Sequence, residues 1–405
     1  SGLRKGRERM GPESLTARGS GVGGLSVARE ARLRGIPVQL FEARELGAGC
    51  TPSATGVLKA PEHRRSPYLD LRHLSWEDWP LLAKSLYEES EGLEVGFSLC
   101  GGLDLRDRTM KDPQQAIEKL YGSGGSVRVV PEAELKSTLP RVRRPLGDAV
   151  FIEHQAVVDP GALLKALTLS CQNLGAQLQS GLGSITLCSE DGKCSEDGKV
   201  VLKSETDIKL HEPSEKHPLV IAAGWESGFV VDGVREGPLP LEPVRGEAIA
   251  LDIPAPPHIV TFDALLPDHP DPAGNRSRFS WIPAPDGSSW FGNSVGAKDS
   301  ANARDPQPTQ AGKSHLVAAA ETMFGDDVGS LVRGHWAGLR PKATRHGGPL
   351  LGRVKDVAGV WMATGHYRTG LLIGPLTARW VVEAILGERE IPENFEVPCA
   401  GDLFH

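Results

Sequence analysis

The sequence predicts an α/β protein: a Rossmann-like domain interleaved with an antiparallel-sheet α+β domain. Three observations carry this. A glycine-rich strand–turn–helix unit lies near the N-terminus and a second such unit near the C-terminus. Between them, helical and strand patterns alternate before giving way to a β-rich stretch. At 405 residues the chain can bury two separate cores.

The N-terminal unit comes first. Residues 14–18 form a strand that runs into Gly19, Gly21 and Gly24, spaced G-x-G-x-x-G. The first glycine permits a tight turn, the second lets a diphosphate approach the backbone, and the third lets the helix pack on the sheet. Ala28 suits a further close-packing position, and Gly35 suits the helix C-terminus. The strand 37–41 follows and ends at Glu42, about 20 residues past the central glycine, where a ribose-hydroxyl acceptor is expected. Ala43 and Arg44 continue this edge of the site. One residue departs from the pattern: Arg18, directly before Gly19, places a charge in a buried central strand, which is costly without a partner.

The segment GAGCTPSATGVLKAP follows, and its small residues Ala54, Thr55 and Gly56 suit close backbone approach to a cofactor, with Thr55, Gly56 and Val57 expected at its site. Helical spacing of Trp79, Leu82 and Leu86 predicts a helix over 76–89. One or two strands lie within 95–105, another at 127–130, and Pro131 opens a short helix. Strands at 151–152 and 157–158 precede Asp159, a helix N-cap, and Pro160, at the first helical position. That helix runs over 161–173, and a strand starts at 176–179. Residues 188–199 repeat CSEDGK back to back, an expanded hairpin loop whose Asp-Gly steps favour tight turns, with an arm at 200–202.

The apolar run 219–225 reads as a buried strand ending in Ala223, Gly224 and Trp225 beside a cofactor. A β-rich region extends to about residue 295, with strands at 248–251, 279–283 and 289–293 and a hairpin turn at Asp286-Gly287. A helix spans 311–324, after which residues 335–341 return to the first domain. The last unit, 359–378, is a strand, a turn with two glycines and a helix opened by Pro375. Its outward N–H groups make an anion-stabilising site. This reading assigns 14–65, 148–236 and 335–390 to the first domain and 66–147 and 237–334 to the second, with tails at 1–13 and 391–405.

Composition excludes several classes. A net charge of −7 argues against a general nucleic-acid binder. No apolar run approaches the ~20 residues of a membrane span. Six cysteines without C-x-x-C pairing argue against a zinc site or a disulfide framework, and no metal is expected. The basic residues Arg4, Lys5, Arg7 and Arg9 read as a solvated tail. A cytoplasmic location is the expectation. Because the sequence begins at Ser1, the true N-terminus and any signal there stay open, with an organelle as the alternative. Oligomeric state stays open.

Taken in order, these pieces resemble the D-amino-acid oxidase-like (DAO) flavoenzymes. The resemblance is strongest at 19–42, 155–164, 243–247, 336–341 and 365–375, and its wording is closest to glycine oxidases of the thiamine-pathway type. It implies non-covalent FAD in the bipartite FAD/NAD(P)-binding fold and a sheet-floored substrate pocket. No cysteine follows Arg340, where Pro341-Lys342-Ala343-Thr344 stand, so no covalent tether is expected. The implied reaction is oxidation of a small amino acid or amine (glycine, sarcosine or D-amino-acid class) to its imine by hydride transfer to flavin N5, with oxygen as acceptor. Two alternatives stay open: a D-amino-acid dehydrogenase passing electrons to a carrier, and a non-catalytic binding protein on the same fold.

Such chemistry needs a carboxylate anchor, and an arginine fork is the natural one. The resemblance implies Arg340, in W-A-G-L-R-P, as that anchor and Arg368, in G-H-Y-R-T-G, as a second arginine. His366 would tune the flavin or gate access. Gly338, Thr369, Gly370, Leu371 and Leu372, with His366 and Arg368, would contact the cofactor. In substrate position, Ser280 stands where the glycine-oxidising members usually carry a tyrosine, so a glycine-sized substrate does not follow.

Overall fold

The computed structural model describes residues 11–61, 66–105, 127–143, 147–189, 200–232, 234, 237–264, 277–292, 304–344, 348–355 and 357–398. The doubled CSEDGK loop lies almost wholly outside these residues.

Two large sheets organise the chain. The first has six strands in the order Leu350–Arg353, Val360–Thr364, Leu219–Ile221, Leu15–Arg18, Val38–Phe41, Gln177–Gln179. All neighbours run parallel except the antiparallel edge strand Leu350–Arg353. Parallel strands must be covered on both faces. One face carries the glycine-motif helix Val22–Leu33 with Pro67–Glu89, Pro160–Asn173 and Gly370–Leu386 in one apolar core. The other face is covered by the antiparallel hairpin sheet around Val200–Lys203 and the short helix Ser227–Val231. Asp159 caps its helix as expected, its Oδ1 accepting from the Gly161 and Ala162 amides.

The second sheet has eight strands: Val332–Ala343, Leu241–Leu251, Ser289–Gly292, Ser277–Pro283, Ile259–Ala264, Gly102–Leu105, Ala149–Ile152, Val127–Val130. All pairs are antiparallel except Ile259–Ala264 with Gly102–Leu105. Phe262, Phe279, Trp281 and Phe291 point to one face and pack under the helix Gln310–Phe324. Side chains alternate along a strand, so Thr261 and Ser280 point to the other face. A small sheet of Val57–Lys59, Gln155–Val157 and Ser98–Leu99 joins the two halves.

Several boundaries differ from the sequence reading. Residues 335–341 do not join the first sheet. They pair along their length with Leu241–Leu251, Gly246 facing Gly338 and Val244 facing Arg340. The helix Pro67–Glu89 packs in the first core rather than the second, because Leu71, Trp79, Leu82 and Leu86 form its buried stripe. Residues 149–152, placed in the first domain from sequence, belong to the second sheet. The expected tail beyond residue 390 is packed through residue 398: Phe395 and Val397 are buried, and Phe395 lies 6.5 Å from the Trp380 ring.

Pro375 does not open the last helix. The helix begins at Gly370, so Pro375 sits inside it, and the Leu371 carbonyl one turn back receives no N–H from Pro375. The stretch Tyr367–Leu386 is long and apolar enough to cross a membrane by composition, unlike the sequence expectation, yet 61% of its window is buried against the protein. It is used here as a core helix.

Candidate functional site

The glycine-rich turns end in two helix N-termini that open on one cavity of about 680 Å³, within the ~300–1,000 Å³ usual for ligand sites. The glycine-motif helix starts after Gly21 and the C-terminal helix after Thr369. Neither has an acidic residue in its first turn or a side chain capping it from the N-cap. Both therefore present partial positive charge to the cavity.

Close packing explains the glycine spacing. Gly19 has a φ of +105°, and a Cβ there would lie 2.6 Å from the Ala222 carbonyl oxygen. A Cβ on Gly24 would overlap the Gly19 carbonyl. Gly24 therefore sets the helix against the turn and does not line the cavity; Gly19 and Gly21 do.

Glu42 ends its strand at 5% exposure. Its Oε2 accepts from the Ser20 amide at 2.8 Å and the Ser20 hydroxyl at 2.9 Å, and its Oε1 accepts from the Arg44 amide at 3.1 Å. The carboxylate is held at the cavity wall, where an acceptor for ribose hydroxyls fits. Arg44 also lines the cavity, whereas Ala43 packs into the apolar layer below the sheet. Thr55, Gly56 and Val57 line it, as do Ala223, Gly224 and Trp225. Arg18 is 4% exposed. Burial pulls its pKa below the usual guanidinium value, opposed by the nearby Glu42 and Glu226 carboxylates. Its Nη2 lies 3.8 Å from Glu226, while its Nε has no partner. The charge is thus met from a distance by two acids.

The opposite end is built by the second sheet and the last unit. Arg340 points inward over Gly246, where any Cβ would overlap the guanidinium. Burial first, and then the neighbouring Arg368, pulls Arg340 down to about 10, while Tyr367 and Cys50 act the other way. Its Nη1 is buried without a partner. A cation with a buried, unused donor is chemically suited to receive an anion. Arg368 lies 5.3 Å from the Tyr367 ring. Tyr367 itself adopts a left-handed φ of +51°, a conformation that costs a bulky residue about 1–3 kcal/mol.

His366 is 8% exposed, and burial pulls its pKa down to about 4, so it is neutral near pH 7. The Thr377 hydroxyl donates to the Gly374 carbonyl at 3.0 Å and therefore accepts from His366 Nε2 at 2.8 Å. Gly338, Thr369, Gly370, Leu371 and Leu372 line the cavity beside these side chains.

Several lining residues were not singled out from sequence. Ser20 and Thr51 organise the glycine loop; Thr51 Oγ1 accepts from the Val22 amide at 3.2 Å. Lys59, Tyr68 and Arg72 also line the cavity. Thr51 and Lys59 fall in the small-residue segment that did carry a signal, while Tyr68 and Arg72 sit on a helix whose amphipathic pattern gives none.

A cavity joining a glycine-loop helix terminus, a strand-end carboxylate and a second helix terminus defines a dinucleotide-cofactor oxidoreductase fold. The chain belongs to the FAD dependent oxidoreductase (DAO) family, whose model matches residues 19–384. It is 28% identical over 396 residues to a glycine oxidase from Pseudomonas aeruginosa, covering 96% of this chain and 100% of that protein. Among solved structures, glycine oxidase from Geobacillus kaustophilus superposes with a TM-score of 0.76 at 22% identity, covering 96% of this chain and 99% of that one. Iminodiacetate oxidase from Chelativorans sp. BNC1 gives 0.76 at 20%, covering 95% and 100%. At these identities the two structures establish the shared fold. The protein is an FAD-dependent oxidoreductase, and its residues fit that cofactor: there is a cradle that side chains would fill, an acid for the ribose and an uncapped helix start for the ring edge.

Proposed function

We propose that the protein oxidises a small amino acid or amine to its imine, with oxygen as the acceptor. The single observation that carries this is the half-buried Arg340, its Nη1 buried and unpartnered, lining the cavity with Arg368. Bound FAD supplies the two-electron acceptor. The protein's residues supply position: Arg340 and Arg368 hold the substrate carboxylate bidentately and so fix the α-carbon. The first turn at Gly370–Leu372 would stabilise negative charge on the bound flavin. Neutral His366, locked to Thr377, contributes shape without competing for the carboxylate.

In support, the Pseudomonas aeruginosa relative named as a glycine oxidase matches over its entire length. Ser280 offers no phenolic hydroxyl at the floor, so glycine itself is not the assigned substrate. The experiment is anaerobic bleaching of the flavin by glycine, sarcosine and D-amino acids, followed by admission of air. Bleaching with at least one of them and prompt reoxidation are expected. A flavin that no amine reduces rejects the reading, and slow reoxidation assigns a dehydrogenase instead.

A further inference from the structure

We infer that Arg18 balances charge at the FAD site: set between Glu42 and Glu226, it offsets two carboxylates that would otherwise repel the cofactor's diphosphate.

Arg18 ends the central strand Leu15–Arg18 of the first sheet, where Leu15 and Ala17 enter the helix-side core. Side chains alternate along a strand, so Arg18 projects from the other face. Its partners across the sheet, Phe41 and Ile221, belong to the apolar layer there. A leucine would pack in that place at no electrostatic cost, whereas a guanidinium at 4% exposure is taken out of water. Departures of this kind are kept where function offsets them. Arg18 lines the cofactor cavity and also a second cavity of about 390 Å³, and Arg44, Trp225 and Glu226 line both. The guanidinium thus stands where the two meet.

Among the described residues lining the cofactor cavity, the carboxylates are Glu42 and Glu226. Glu42 is tied to the glycine turn itself. Its Oε2 accepts from the Ser20 amide and hydroxyl, and the Ser20 hydroxyl accepts in turn from the Gly47 amide at 2.8 Å. A formal negative charge therefore stands against the loop and helix start that suit a diphosphate. Glu226 adds a second. Arg44 Nη2 lies 3.3 Å from Glu226 Oε1, yet the Arg44 side chain is 51% exposed, so solvent and salt screen that pair. Arg18 is buried and escapes such screening. Its Nη2 lies 3.8 Å from Glu226 Oε2, beyond hydrogen-bond range, and its Nε is buried without a partner. Burial pulls its pKa down, while Glu42 and then Glu226 hold it up; the charge acts on both acids through the poorly polarisable interior.

With Arg18, Arg44, Glu42 and Glu226 all ionised, the cluster is neutral. Removing Arg18 leaves a net negative charge facing a ligand that is itself a dianion. Removing Glu226 leaves a net positive charge instead. The two changes shift FAD affinity in opposite directions, and together they cancel.

The test uses the full chain loaded with FAD. The dissociation constant is read from flavin fluorescence over a dilution series, and folding is checked by circular dichroism. Arg18→Leu is expected to raise the FAD Kd about tenfold or more, and Arg18→Lys to hold it within about threefold. Glu226→Gln is expected to lower the Kd about threefold, and Arg18→Leu combined with Glu226→Gln to return it to within about threefold of the unaltered protein. An unchanged Kd in Arg18→Leu overturns the inference. So does a double variant as weak as Arg18→Leu alone, because removing an acid does not repair a lost packing contact. Should Arg18→Leu fail to fold, a Kd that stays level or rises in Glu226→Gln overturns the inference by itself.

Discussion

Replacing Arg340 with methionine should move stability and substrate binding in opposite directions. The guanidinium's Nη1 is buried without a partner, and its pKa is held down to about 10, chiefly by burial. At about 1.36 kcal/mol per pKa unit, keeping it charged costs the folded state on the order of 3 kcal/mol. The sign is that of a base with a lowered folded pKa: the cost is fully present below pH 10 and is relieved only as pH rises through that value. Methionine fills similar apolar volume and removes the cost. For a chain of this length about 3 kcal/mol corresponds to a rise in Tm of roughly 3 °C. The same change strips the substrate carboxylate of its main partner, which costs about 2–5 kcal/mol, or roughly 30-fold to several thousandfold in kcat/KM. Differential scanning calorimetry of the holoprotein and steady-state kinetics measure the two effects. A falling Tm with unchanged kcat/KM refutes the anchor and makes Arg340 a structural ion-pair partner.

Other consequences follow from the same geometry. Glu42→Gln should weaken FAD binding about tenfold or more, read from flavin fluorescence on titration, because one ribose acceptor becomes a donor; an unchanged Kd would remove Glu42 from the cofactor site. Gly24→Ala should yield little flavin-loaded protein, since the new methyl overlaps the Gly19 carbonyl; normal flavin content and Tm would contradict the packing role. His366, lowered from 6.5 to about 4, lends stability that is complete above pH 6.5 and is lost as pH falls toward 4. Urea unfolding should therefore show the protein about 2 kcal/mol more dependent on pH between 7 and 5 than His366→Asn; parallel profiles would exclude His366 as the source.

Much of the cofactor end was legible because its determinants are local. A glycine turn, the helix it starts and the acid that ends the next strand lie within 24 residues, from Gly19 to Glu42, and each answers to backbone geometry. The substrate end is different. Arg340 stood out by wording alone; that it lies unpaired over Gly246 depends on two strands meeting in register. Lys59 and Arg72 reach the same cavity from a strand and a helix in the other half of the molecule, so no spacing along the chain announces them.

The boundary errors have the same origin. Residues 335–341 read as a returning strand, and strand they are, but a strand's pattern does not say which sheet supplies its partner. Pro375 signalled a helix start and is found five residues inside one, because tertiary packing of Leu371, Leu372 and Ile373 outweighs one lost hydrogen bond. Arg18 read as an unpartnered charge until the fold brought Glu42 and Glu226 toward it. By itself, then, the sequence determined the fold class and the dependence on FAD, and it singled out the arginine proposed here as the anchor, through local conformation and residue type. Tertiary structure alone decided which charges face one another across the cavity. Electrostatic partners there are chosen by distance in space, and distance in space is set by how two sheets and their helices pack.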